Sequence, residues 1–130
     1  MVHYQNDYIF GTENQKAVLP KIISYFNREI IENEGQYSKY DFTDSLYNYE
    51  LKTRKNTLNK YPDTMITMNK LSKSKKGLIL LFSFIDKLAY IEYDPEQFKT
   101  FRTSNFSRAN IEEDKKKHIY IPVNLLTIIE

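Results

Sequence analysis

The rhythm of apolar and polar positions changes along this chain, and each change marks a predicted element. From Thr12 to Asn27, Ala17, Leu19, Ile22, Ile23 and Phe26 recur at helical spacing, with Ile30 and Ile31 able to extend the stripe. Thr12 and Gln15 form a capping box behind Gly11, so a first helix is expected to start there, with Pro20 either a kink inside it or the mark of a misplaced boundary. Between Gln36 and Thr53 the period falls to two. Tyr40, Phe42, Tyr49 and Leu51 alternate with Lys39, Asp41, Thr43, Asn48, Glu50 and Lys52, which predicts two strands joined at Ser45 and Leu46.

Lys60, Tyr61, Pro62 and Asp63 then punctuate the chain. Thr64 to Lys76 reads as a helix with Met65, Ile66, Met68 and Leu71 on its apolar side and lysines toward an end at Gly77. The run from Leu78 to Phe84 predicts a strand buried on both faces, and Leu88 to Tyr93 a second strand after a turn at Asp86 and Lys87. Asp94, Pro95 and Gln97 supply the cap, first-turn proline and acceptor of a short helix through Phe101. Arg102 to Asn110 is expected as a loop and Ile111 to Lys117 as a solvated charge run. HIYIPVNLLTII reads as a last strand, a proline break and a terminal helical turn.

This order of helix, hairpin, helix and buried strand, in 130 residues without a repeat or linker, predicts one α/β domain over 1–130 with a mixed sheet. Apolar residues at 41% suffice for a core, and three glycines and four prolines argue against disorder. The net charge of +2 announces no nucleic-acid binder by itself. The absence of cysteine excludes disulfides, thiolate nucleophiles and cysteine zinc sites, and His3 and His118 match no ligand spacing. The longest apolar run, Leu78 to Ile85, is too short to span a bilayer, and MVHYQNDYIF has no secretion-signal pattern, so an intracellular location without membrane contact is expected.

The hairpin carries the candidate chemistry. With the turn centred between Ser45 and Leu46, paired residue numbers sum to 91, placing Asp41 opposite Glu50 and Lys39 opposite Lys52 on one face. Tyr40, Phe42, Tyr49 and Leu51 are expected to bury the other. Facing carboxylates repel unless a cation sits between them, and Lys52 with a divalent ion would supply it. Against this stands ordinary solvated charge: the same Glu-x-Lys pattern recurs at Glu113 to Lys115 within the charge run. Asp44 competes for the role of first acid, but the register turns it to the opposite face.

The order of elements, with Asp41, Glu50 and Lys52 on consecutive strands, resembles the PD-(D/E)XK nuclease superfamily. Gly11-Thr12-Glu13 resembles the acid that archaeal Holliday-junction resolvases carry on their first helix. The string YDF, YELKTR and KYPDTMITMNK is similar to nuclease-like proteins of large DNA viruses and phages. Tyr40 stands where the superfamily name has proline, and the first core strand falls in Glu32 to Tyr37, a stretch with few apolar residues.

The resemblance implies a restriction-endonuclease-like αβββαβ core whose mixed central sheet is flanked by helices. It further implies that Asp41, Glu50 and the Leu51 carbonyl hold Mg²⁺, with Mn²⁺ as substitute, that Lys52 attends the reacting oxygen, and that DNA phosphodiesters are hydrolysed to 5′-phosphates. Glu13 is either a further metal ligand or a first-turn acid favoured by the helix dipole. Lys70 is either an accessory phosphate ligand or a solvent lysine. Arg54, Lys55, Lys60 and Tyr61 suit a nucleic-acid backbone and an unstacked base. A homodimer, other viral proteins as partners and packaging in a virion are implied by the same resemblance. Two other classes compete: a nucleic-acid-binding or structural protein that kept the fold without catalysis, and an interaction module built on the abundant tyrosines.

Overall fold

The hairpin forms in the register that the alternation predicts. In the computed structural model, Phe42 pairs with Tyr49 and Thr43 with Asn48. The backbone is described for residues 2–34, 39–71, 75–106 and 116–129, and side chains for 13–34, 39–71, 75–105 and 117–129. Helix α1 spans Val2–Phe26 and is followed by strands β1 (Ile31–Glu32), β2 (Phe42–Thr43), β3 (Tyr47–Thr53) and β4 (Asp63–Thr67). After a 3₁₀ turn at Met68–Lys70 come β5 (Gly77–Ser83), β6 (Leu88–Glu92), helix α2 (Pro95–Phe98), β7 (Thr103–Phe106) and β8 (Lys116–Pro122). A second 3₁₀ turn, Val123–Leu125, leads to β9 (Thr127–Ile128).

These strands make two sheets. The larger is mixed, in the order β1-β2-β3-β5-β6-β9, with β3 and β5 parallel and every other neighbour antiparallel. The smaller is antiparallel, in the order β4-β8-β7. The chain is therefore an α/β protein with a mixed sheet, as the order of elements predicts. Strand β5 is buried on both faces because alternate residues serve two cores. Ile79 and Leu81 join Phe42, Tyr49 and Leu51 beneath Val18 and Ile22 of α1. Leu78, Leu80 and Phe82 face the other way, against Ile66 of β4 and Ile119 and Ile121 of β8.

The stretch expected as a helix from Thr64 to Lys76 is instead β4 and a single 3₁₀ turn, with residues 72–74 outside the described set. Thr64 and Ile66 are buried while Asp63, Met65 and Thr67 are half-exposed, a period of two. The branched Cβ atoms of Thr64, Ile66 and Thr67 favour the extended backbone, and pairing with β8 overrides the sparser helical spacing. The second face of the large sheet is accordingly covered by a sheet rather than by a helix. Gly77 starts β5 instead of ending a helix: a Cβ there would stand 2.7 Å from the Tyr47 ring, and its N–H donates to the Leu46 carbonyl (2.9 Å). That contact sets the first rung of the parallel pair.

Other boundaries shift too. Helix α1 already runs through Thr12, so Thr12 and Gln15 lie inside it and not at its start; Pro20 is also internal, and Asn27, at φ 54°, turns the chain out of the helix. Part of the expected loop from Arg102 to Asn110 is β7, which completes the small sheet, while residues 107–115, including most of the charge run, lie outside the described set. The Asp94 carboxylate accepts from the Glu96 N–H ahead of Pro95, as the capping pattern requires. Among the described residues no helix is long and apolar enough to cross a membrane.

The hairpin turn is tied to the end of α1 by Asp44. Its Oδ1 accepts from the N–H groups of Leu46 and Tyr47, both 2.8 Å away. Arg28 grips the same carboxylate with Nε at 2.6 Å and Nη2 at 3.0 Å, and the Tyr49 hydroxyl donates to Oδ2. Burial pushes the Asp44 carboxyl up, but the bonds from Arg28, Tyr49 and the two backbone N–H groups outweigh it and hold the group well below the usual carboxylate range. A depressed pKa contributes stability that is present above the unfolded value of about 3.9 and is lost as pH falls below it. Asp44→Asn should lower the thermal midpoint at pH 7 by roughly 5–10 °C. In melts followed by circular dichroism from pH 7 to pH 2, the gap to wild type should narrow below about pH 4.

Candidate metal and phosphate site

Strand β2 begins at Phe42, and Asp41 stands just before the ladder starts. Its N–H donates to the Tyr49 carbonyl at 3.0 Å, its carbonyl accepts from Asn33 at 2.9 Å, and its Oδ2 accepts the N–H of Leu51 at 2.8 Å. A side-chain carboxylate thus replaces the backbone acceptor that the next residue of a longer β2 would have offered. In a strand, the N–H and C=O of one residue project to the same side, so the Leu51 carbonyl also emerges beside Asp41. The ladder does not extend to Asp41, but its charge is close enough to Glu50 to raise the Glu50 pKa.

Glu50 is not on a solvated face. Parallel pairing sets it level with Leu80, on the face covered by the small sheet, and it is only 4% exposed. Tyr40, expected to pack with Phe42, Tyr49 and Leu51, lies in the opposite core, on the Glu50 side. The cause is local: residues 39–41 bend before β2 begins, so strand alternation does not reach back to Tyr40. From there the Tyr40 hydroxyl donates to the Lys70 carbonyl (3.0 Å), and Lys70 Nζ donates to the Lys39 carbonyl (2.8 Å). This clasp sets Lys70 Nζ 3.8 Å from Glu50 Oε1.

Glu50 Oε2 is paired with Lys52 Nζ at 3.1 Å. Its Oε1 is buried without any hydrogen-bond partner among the described residues, Lys70 being too far for one. Burial is the main force raising the Glu50 pKa; the Asp41 charge adds to it, and Lys52 and Lys70 oppose it without cancelling it. An unsatisfied buried carboxylate oxygen costs at least ~1–3 kcal/mol, so the ionised site is held at the expense of stability. The free Glu50 oxygen, the Asp41 carboxylate and the Leu51 carbonyl form a hard-oxygen donor set, which fits Mg²⁺ or Mn²⁺ with water and phosphate completing the shell.

The remaining candidates divide. Glu13 is exposed on α1; its neighbour Asn14 bonds Thr53 at the end of β3 (2.9 Å), but among the described residues Glu13 does not gather with Asp41 and Glu50 into a group of three acids. Arg54 is not a free phosphate ligand: Nε donates to Thr64 Oγ1 (3.0 Å) and Nη2 to the Met65 carbonyl (2.6 Å), bracing β3 against β4 above the Phe82 ring. Burial lowers its pKa. Lys55 and Lys60 are exposed, and Lys60 Nζ lies 5.5 Å from the centre of the exposed Tyr61 ring, away from the carboxylates and against a separate cavity. Sequence reasoning did not find Asn33, whose side-chain and backbone N–H groups hold the Tyr40 and Asp41 carbonyls; an isolated asparagine in a loop carries no pattern. In comparisons with known proteins, no family model matches this chain and no curated protein sequence matches it.

A raised carboxyl pKa destabilises the fold as pH rises from the unfolded value, about 4.3 for glutamate, through the folded one. Glu50→Gln should therefore raise the stability of the metal-free protein at pH 7 by about 1 kcal/mol, a few degrees in midpoint. The advantage should shrink toward pH 4, as thermal melts in EDTA across pH 4–8 will show. A variant less stable than wild type at pH 7 would contradict the burial argument.

Proposed function

We propose that this chain is a metal-dependent nuclease of the PD-(D/E)XK type that hydrolyses phosphodiester bonds of DNA. One observation carries the reading: a buried glutamate whose Oε1 has no hydrogen-bond partner among the described residues, near the Asp41 charge and flanked by two lysines. A structural ion pair needs one cation for one anion and leaves no carboxylate oxygen orphaned. A site that receives a divalent cation and a phosphate needs spare anionic oxygens on one side and mobile cations on the other.

Asp41 and Glu50, with the Leu51 carbonyl, would hold Mg²⁺ or Mn²⁺. The ion, when bound, lowers the pKa of a water ligand and neutralises charge on the scissile phosphate. Lys52, about one-third exposed on its side chain, then donates to the attacking or non-bridging oxygen as negative charge grows there. Lys70, held by backbone groups rather than by carboxylates alone, stays near Glu50 and adds a second donor toward the phosphate. Arg54 acts indirectly by fixing the end of β3. The second sheet excludes water from the Glu50 side, which strengthens each of these interactions.

The test is cleavage of labelled duplex, branched and single-stranded DNA in Mg²⁺, Mn²⁺ or EDTA. Cleavage should require the metal and fall at least ~100-fold in Glu50→Gln, Asp41→Asn and Lys52→Ala. Mn²⁺ should raise the thermal midpoint of wild type but not of Glu50→Gln. Equal cleavage by wild type and Glu50→Gln would sink the assignment, and binding without cleavage would favour a non-catalytic nucleic-acid-binding protein.

A further inference from the structure

Beyond Lys52 the chain leaves β3 through Arg54 and loops over the small sheet, and this loop walls a cleft that the carboxylate site does not use. The cleft has a volume of about 590 Å³ and is lined by Asn56, Tyr61, Asp63, Met65, Arg102 and Tyr120, among others. It adjoins a second cavity of about 890 Å³, the two sharing Leu58, Tyr61, Pro62, Asp63 and Val123. One cation–aromatic pair stands at its wall and a second in the adjoining cavity. The Arg102 guanidinium lies 3.8 Å from the centre of the Tyr120 ring, with Nη2 3.3 Å from Asp63 Oδ2. In the adjoining cavity, Lys60 Nζ lies 5.5 Å from the centre of the ring of Tyr61, a residue 53% exposed.

We propose that this cleft receives an unpaired base of single-stranded nucleic acid, an inference that rests on the nuclease reading above. The charges sort the parts of a nucleotide. Asp63 inside the cleft repels a phosphate but accepts from the amino or imino groups of a base edge. Lys60 and Arg102, both with exposed side chains, offer the sugar–phosphate backbone its countercharge at the rim. The exposed Tyr61 face gives the base a stacking surface, and a duplex cannot use it because its bases are already stacked. Arg54, in the cleft wall, follows Lys52 by two residues, about 7 Å along an extended chain, so one strand can reach both places.

The experiment is fluorescence anisotropy in EDTA, which removes cleavage, with a labelled mixed-sequence single strand, the same sequence as duplex, and a single strand carrying a run of abasic positions. Tyr61→Ala should weaken single-strand binding about 10-fold and leave duplex binding unchanged, while Tyr61→Phe, which keeps the ring, should bind as wild type. The abasic strand should bind wild type as weakly as the intact strand binds Tyr61→Ala. Arg102→Ala should weaken single-strand binding and reduce its salt dependence. Undiminished binding by Tyr61→Ala, or equal losses on single strand and duplex, would overturn the cleft while leaving the nuclease reading standing. Failure of wild type to bind either form, together with absence of cleavage, would overturn both.

Discussion

The parallel pairing of β3 with β5 is the constraint on which the rest of the structure depends. Two parallel neighbours cannot be joined by a tight turn, so the chain between Thr53 and Gly77 must cross over a face of the sheet. Here it does so by contributing β4 to a second sheet, and that sheet needs β7 and β8 from the far end of the chain to be complete. Crossover and C-terminal half together bury Leu78, Leu80 and Phe82. The same rungs align Glu50 with Leu80, so the burial that completes the core also desolvates the glutamate.

What the sequence made legible was local, and what it hid was long-range. The register of the β2–β3 turn follows from alternation around Ser45 and Leu46, and the two-faced burial of β5 from an uninterrupted apolar run. Asp94 and Pro95 announce α2 by cap chemistry alone. The segment 63–67 looks helical in sequence because Met65, Met68 and Leu71 satisfy a helical spacing, while the partner that makes it a strand lies more than fifty residues away in β8. Strand β7 was invisible for the same reason: Thr103 to Phe106 has little apolar content, and its identity comes from pairing with β8.

The candidate site shows the same division. Alternation puts Glu50 and Lys52 on one face, the bend at residues 39–41 leaves Asp41 near Glu50, and Asp44 separates from them because its carboxylate is consumed by Arg28, Tyr49 and the turn. Alternation alone could not tell that the shared face is buried, since a second sheet has no signature in the hairpin itself. Burial changes the chemistry: exposed carboxylates would be screened and cheap, whereas burial raises the Glu50 pKa and makes its charged form costly. Arg54 reads as a surface cation in sequence and is a brace in space, because its partners, Thr64 Oγ1 and the Met65 carbonyl, sit on the strand that the pattern concealed.

The clasp between Lys70 and residues 39 and 40 divides substitution tolerance unevenly. Lys70 is held by the carbonyl of residue 39, not by its side chain, so that position can drift in identity without moving the lysine. Position 40 has no such freedom, because its hydroxyl reaches the Lys70 carbonyl while its ring fills the core. Among descendants of this sequence, residue 39 should wander while residue 40 stays a tyrosine, whatever side chain residue 70 carries above its carbonyl.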